Sequence, residues 1–323
     1  TVLVDGVANV TAVQRADMRR SVRSMQAGTA VWLTDACADL VDQVEGYCAR
    51  HAAHSRIRSA TVIAEIDARL RIGQSADAAT AAAALGTDTP GETPLRRTRL
   101  IALGAHVTGA GSDIRADVYF AELGSEAVHV MRHEWTGPAG DIPTGHDAAT
   151  RRVAGTTVRQ LASSTIVTES AVRQANHRIR FGRRGIGRTS ILPLSADAWE
   201  RSLNVATDYA DEATRLADRG PSFASERVLT RGVGVIRVET VLSKEYSPES
   251  QRLTIHVRDG QGNPARVVVE HRSYAPRAID AVDESLSAGP ATIAGRLSVQ
   301  RGLLQITPFA ISARQQVVVP DLE

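Results

Sequence analysis

The chain has 323 residues, 43% of them apolar, and a formal net charge of +2 from 38 basic and 36 acidic side chains. That length suits two or three domains with cores of their own, and no run approaches the roughly 18 apolar residues that a membrane span needs. Near-balance of charge excludes the broad footprint of a strong general DNA binder, and the first ten residues lack a basic start and long apolar run, so the expected location is cytoplasmic.

The first third is predicted helical. Met18, Val22 and Met25 recur at helical spacing within Ala12 to Met25, and Trp32, Leu40, Val41, Val44 and Tyr47 do so within Val31 to Cys48. Val62, Ile63, Ile66 and Leu70 continue the pattern from Ala60 to Ile72, and Ala76 to Leu85 is an alanine run of high helix propensity. Cys37 and Cys48 stand about three helical turns apart, a spacing that fits neither a zinc pair nor a redox C-x-x-C, and they read as buried apolar fillers. Gly86 to Pro94 holds two prolines and two glycines and ends the region as a linker.

The period then changes to two. Thr98 to Thr108, Ile114 to Leu123 and Ala127 to Trp135 are predicted strands joined by the turn sequences Gly109–Asp113 and Gly124–Glu126. Connections this short require an antiparallel meander. After a Gly/Pro-rich break at Thr136 to Gly145, Thr168 followed by Glu169 reads as a helix start, Arg178 to Leu194 as extended chain, and Asp197 to Arg219 as a helix stopped by Gly220–Pro221.

The tail alternates apolar and polar residues over Arg231 to Ser243, Gln251 to Arg258 and Pro264 to His271. It turns helical over Pro276 to Ala288 and alternates again over Ala291 to Ser298 and Gly302 to Ile311. Three strands, a helix and two strands is the element order of an OB-fold, a small barrel that binds ligands on an open face. The fold class is α+β: a helical region (1–90), a central mixed domain built on an antiparallel β meander (95–220), and a C-terminal OB-like β-barrel (226–323).

Only Lys244 among the basic residues is a lysine. Arginine gives planar bidentate contacts to phosphate, though a GC-rich coding bias also favours Arg, Ala, Gly and Val together. The most basic segment carries Arg178, Arg180, Arg183, Arg184 and Arg188 around three glycines, a candidate anion or nucleic-acid contact that matches no dinucleotide or P-loop fingerprint. On the barrel, Arg258, Arg266 and Arg272 are the candidate contacts, alongside His256 and His271, in place of the aromatic platforms that single-strand binders use. His106, His129 and His133, on neighbouring predicted strands, are the clustered candidates for a metal-dependent site. Positions four apart on a strand are roughly 13 Å from each other, too far to share an ion without a bulge. No G-x-S-x-G elbow presents Ser163, Ser164 or Ser170. Glu239, Glu245, Asp259, Glu270 and Asp280 read as surface charges. No catalytic residue, metal ligand or cofactor is assigned.

The stretch Arg99–Ala105, followed by Asp117–Phe120 and Val128–Trp135, resembles the β-segment after a helical region in some bacterial SWIM zinc-finger proteins. The resemblance covers Val31 to Trp135, and the Cys-x-Cys…Cys-x-His ligands of that family are missing. It implies membership of a multi-component bacterial system of the kind encoded beside AAA+ ATPases and von Willebrand A-type proteins, which suggests defence. The expectation is therefore a non-catalytic binding or scaffold subunit with protein partners and no membrane. Two alternatives stay open: a nucleic-acid-binding protein using the arginine-rich strand and barrel face, and a metal-dependent hydrolase or nuclease.

Overall fold

The helical period of the first ninety residues becomes four helices: α1 (Ala12–Met25), α2 (Val31–Cys48), α3 (Arg56–Ser75) and α4 (Ala78–Leu85). The computed structural model describes residues 6–49, 54–75, 77–125, 127–138, 140–153, 155–181, 189–195, 197–218, 223 and 225–323. Thr11 and Gln14 form a reciprocal capping box at the start of α1, and the Asp77 carboxylate accepts from the amides of Ala79 and Thr80 at the start of α4. Both satisfy donors that the first helical turn leaves open. Trp32, Val44, Val62 and Ala84 are buried between the helices. Cys48, expected to be a buried filler, is exposed instead, because it falls at the end of α2, and its sulfur accepts from Arg15 Nη1 at 3.4 Å.

Polar groups also enter this core. Arg69 has no exposed surface; its Nε donates to Glu65 at 3.0 Å, Nη1 to the Ala84 carbonyl at 2.5 Å, and Nη2 to the Ser225 carbonyl at 3.1 Å. Arg227 Nε reaches the same Glu65 at 3.1 Å, and its Nη2 bonds Asp39. By contacts the helices group with Gln174–Asn176 and Gly220–Val228, and the remainder of the chain forms a second unit.

That second unit begins with the meander β1 (Thr98–Ala110), β2 (Asp113–Glu122) and β3 (Val128–Thr136), antiparallel throughout. After two short helices, α5 (Gly145–Thr150) and α6 (Val158–Ala162), β4 (Ser164–Thr168) returns antiparallel to β1. Then come β5 (Ala171–Gln174), β6 (Ile179–Phe181) and β7 (Thr189–Pro193). The main sheet order is β7-β4-β1-β2-β3, and Arg178 meets Val130 of β3 in a parallel bridge. Thr168 does not start a helix. It ends β4, its hydroxyl facing that of Thr189 across β7 at 3.0 Å and accepting from the Ser170 amide, so the same side chain that caps helices here closes a turn. The segment expected as one helix splits into α7 (Ala198–Ser202) and α8 (Tyr209–Ala217). Val205 and Ala206 pair in parallel with Val235 and Ile236, and Asp208 caps α8.

The tail is the expected barrel. Its first strand runs as two halves, β8 (Val233–Val238) and β9 (Thr240–Ser247), separated by Glu239 alone. β9 pairs with β10 (Arg252–Arg258), β10 with β11 (Pro264–Glu270), and β11 runs parallel to β13 (Leu303–Ala313). β13 pairs with β12 (Ala291–Gln300), and β12 returns to β8. The bent first strand thus closes a five-stranded cycle in the order 1-2-3-5-4. α9 (Ala278–Leu286) lies between the third and fourth strands, and β14 (Gln316–Val318) is added to β13. The central region repeats this plan in open form: a meander, helices, a fourth strand antiparallel to the first, and a later segment meeting the third in parallel.

The central sheet and the barrel share one core, in which Phe309, Ala310, Val319 and Leu322 join Leu103, Val118 and Phe120. Tyr119 stacks on Phe309 with ring centroids 4.3 Å apart. Two glycines permit this approach. A Cβ on Gly104, whose φ is +95°, would stand 2.4 Å from the Phe309 carbonyl oxygen, and one on Gly145 would overlap the Asp321 carbonyl. Asp259 is also not the surface charge expected. It is buried and accepts from the amides of Tyr209, Gln261 and Asn263, tying α8 to the β10–β11 turn.

Candidate functional site: a cleft across the barrel face

Alternation along β10 and β11 sends Leu253, Ile255, Val257, Ala265 and Val267 into the barrel and leaves Arg252, Thr254, His256 and Arg266 on its outer face. Register places His256 beside Arg266, Arg252 beside Glu270, and Arg266 beside Gln305 of β13. At one end of this face lies a cleft of about 350 Å³, whose walls include Arg252, Glu270, Arg272, Gln305, His106 and Asp321.

The floor of the cleft is a buried carboxylate. Asp321 is 2% exposed and accepts from the Val107 amide at 2.8 Å, while Arg272 Nη2 donates to its other oxygen. Burial alone raises a carboxyl pKa, but the contact with His106 and the charges of His106 and Arg272 outweigh it, and Asp321 is held below the usual carboxylate range. His106 Nδ1 lies 3.0 Å from Asp321 and 3.1 Å from Arg272 Nη1. It has room for one bond: a protonated Nδ1 donates to Asp321, a bare one accepts from Arg272. The guanidinium of Arg272 also lies 5.6 Å from the centroid of the Tyr274 ring. Arg272 is therefore fixed in place, and its Nε, like that of Arg266, is buried with no hydrogen-bond partner among the described residues.

The residues expected from sequence are only partly brought together. Arg272 lines the cleft, and Arg266 stands on the same face. Arg258 sits six residues along β10 from Arg252, opposite Thr240 and Pro264, outside the cleft. Arg178 makes an isolated bridge to Val130 at the edge of the central sheet and is half-buried, while Arg180 lies on β6, which pairs with β5 in a separate sheet, and is exposed. Arg183, Arg184 and Arg188 lie outside the described residues. The three histidines do not share a face. Register aligns His106 with Asp117 and Arg132, whereas His133 aligns with Ala116 and Val107, one residue out of phase. Asp321, Arg252 and the Asp117–Arg132 pair were not anticipated as functional. Only the last had a sequence signal, since both sit at matching positions of two predicted strands.

His129 is a buried neutral imidazole, with Nε2 3.1 Å from Glu122 and Nδ1 without a partner among the described residues. Desolvation dominates and lowers its pKa from the ordinary 6.5 despite Glu122. Below about pH 6.5 the unfolded chain takes up a proton that the native site resists, so stability falls as pH drops through that range. Thermal unfolding between pH 7.5 and 5 checks this, and His129→Gln should flatten part of the slope. An equal slope in both proteins would refute the assignment.

Family models match both ends of the chain: residues 1–90 match the YehQ four-helical bundle domain, and residues 230–323 match the YehQ C-terminal OB-fold domain. No curated protein matches the sequence. Among solved structures, a replication protein A heterotrimer bound to ssDNA aligns at 10% identity and a TM-score of 0.32, over 67% of this chain and 50% of the other. A murine DNA binding protein bound with ds DNA aligns at 9% identity and a TM-score of 0.26, over 69% and 94%. The chain spans half the length of the replication protein A chain, and at these scores neither alignment bears on function. The bundle and the closed barrel thus fall on the two stretches that match, respectively, a four-helical bundle domain model and a C-terminal OB-fold domain model.

Proposed function

We propose that the barrel face binds single-stranded nucleic acid without catalysis, gripping phosphates with Arg252, Arg266 and Arg272 and stacking a base on Tyr274. The observation that carries this reading is the immobilised Arg272 beside Tyr274 in a cleft bounded by the second, third and fifth barrel strands. Guanidinium forks suit phosphate oxygens and also stack on bases, and one ring compensates in part for the scarcity of aromatics. Gln305 and Thr307 add neutral hydrogen-bonding groups to the same walls.

Fluorescence anisotropy of labelled oligothymidylate at several salt concentrations tests the proposal. Arg252→Gln with Arg266→Gln removes two phosphate contacts while leaving the Arg272–Asp321 anchor intact. Binding should weaken about tenfold, and the log–log salt slope should fall by roughly 1.4, at about 0.7 per contact. An unaltered slope would sink it.

A second reading, a scaffold subunit of a multi-protein bacterial system, is favoured by β9. Leu242 and Tyr246 are 44% and 53% exposed there, and among the described residues β9 pairs with β10 alone. A partner strand adding to that edge would cover both. If so, Leu242→Ser with Tyr246→Ser should break complexes formed with the products of neighbouring genes; an intact complex removes this reading.

A further inference from the structure

We infer that the cleft receives the hydroxyl-terminated end of a nucleic-acid strand and not an internal stretch, an assignment that rests on the barrel reading above and narrows its ligand.

The outer face of the barrel is open at one end and walled at the other. Along β13, Leu304, Ile306 and Ile311 pack in the barrel interior, whereas Phe309 and Ala310 join the core shared with the central sheet. Alternation carries the outer face from Gln305 to Thr307, and the next outward side chain is already covered: Phe309 is 1% exposed and stacked on Tyr119. Beside Thr307 in the register stands Arg296, whose Nη2 reaches the Tyr119 hydroxyl at 3.4 Å. At Gly104, β1 crosses Phe309 without room for a Cβ.

The chain past Glu270 is tied down as well, since the Tyr274 carbonyl accepts from the Gly145 amide at 2.6 Å. A ligand strand that enters between Arg266 and Gln305 therefore runs up against His106, Pro308 and Pro320 and stops there. Size agrees with a blind end. At about 350 Å³ the cleft is at the low end of the roughly 300–1,000 Å³ of small-molecule sites, room for one nucleotide and not for a chain passing through.

Charge selects the kind of end. Arg252 and Arg272 line the cleft against Glu270 and Asp321, and Asp117, beside His106 across the sheet, is already held by Arg132 through two bonds. Asp321 is engaged by Arg272, but the Glu270 side chain makes no hydrogen bond or ion pair among the described residues. An ionised carboxylate only accepts hydrogen bonds, so a group seated against Glu270 must donate. A hydroxyl terminus does. A terminal phosphate instead brings about 1.5 to 2 negative charges at pH 7, into a cleft whose guanidinium groups are already matched one for one. The phosphodiester that precedes a hydroxyl end carries a single charge, which the Arg252 fork accommodates.

Unlabelled thymidylate strands competing with an internally labelled one, read by anisotropy, test this. A covalently closed circle and a linear strand are compared, both of about 30 nucleotides, roughly twice what one OB-fold covers. The circle has no end to seat and loses the base stacked on Tyr274, so it should compete about tenfold less well. A phosphate on the seated terminus should cost about tenfold and on the other terminus nothing, so strands phosphorylated at 5′ alone or 3′ alone reveal which hydroxyl enters. Glu270→Gln, an exposed change, should abolish that penalty and leave the circle as poor a competitor as before. Tyr274→Leu should bring the linear strand down to the level of the circle. Equal competition by circle and linear strand overturns the blind end. A phosphate tolerated at both termini, or a penalty that persists in Glu270→Gln, overturns the hydroxyl assignment. If the native protein binds no linear strand at all, the barrel reading itself falls.

Discussion

Replacing Asp321 with Ala should lower the melting temperature by roughly 10 °C, although the residue presents almost no surface to solvent. Three groups depend on this carboxylate: the Arg272 guanidinium, the Val107 amide and His106. Removing one partner of a buried ion pair costs about 3–5 kcal/mol, because the remaining charge stays desolvated without compensation. At about 2–4 °C per kcal/mol for a unit of this size, the shift follows. Asp321→Asn should fall between wild type and Ala, since the amide oxygen still accepts from Val107 but carries no charge. The acid limb supplies a second readout. The Asp321 pKa is depressed in the folded state, so its contribution is fully present above the ordinary carboxylate value and disappears as pH falls through the lower folded one. The Ala variant should lose part of that acid dependence. A shift below 2 °C, with the acid limb unchanged, would show that the cleft floor is held by packing alone. The loss should also reach function, since Arg272 is positioned by Asp321 and an unanchored guanidinium must be ordered anew on each binding event.

The parts legible in sequence were those governed by local periodicity. The meander was readable because Gly109–Asp113 and Gly124–Glu126 are too short for a crossover and the strands between them alternate. The barrel was readable from element order, without any knowledge of its closure. What stayed hidden depends on pairings far apart in the chain. Val107 and Asp321 are 214 residues apart, and the shared core joins residues as distant in sequence as Val118 and Phe309. No periodicity signals such a pairing. Thr168 and Asp259 show a different limit: the same side chains serve as caps, turns or surface groups, and only the neighbouring strand decides which. His106 illustrates both. Its presence in a strand was readable, but its face was not, because a phase difference of one residue separates it from His129 and His133.

Removing Arg69 should be the most damaging single change in the helical unit. Its guanidinium has no exposed surface and closes three separate structures: it bonds Glu65 within α3, the Ala84 carbonyl at the end of α4, and the Ser225 carbonyl. Arg69→Ala leaves both carbonyls without this donor and opens a void, and a loss of about 3–5 kcal/mol follows. Exchanging the whole pair for apolar residues is often neutral elsewhere. Here it is not, because Glu65 also serves Arg227, which is only 10% exposed and is shared with Asp39. Arg69→Met with Glu65→Leu should therefore remain destabilised, whereas an isolated buried pair would recover. Asp39 gives the pH signature. Burial raises its pKa, Arg227 and Arg58 lower it by more, and the network's stability is present above about pH 3.8 and lost as pH falls through the depressed value. Hydrogen exchange separates this effect from the rest of the chain. Amides of α2, α3 and α4 should exchange faster in Arg69→Ala, while those of β10 and β11 keep their protection. Equal protection of the helices in variant and wild type would mean that apolar contacts at Trp32, Val44 and Val62 suffice to hold the bundle, and that the buried arginine is tolerated there without being required.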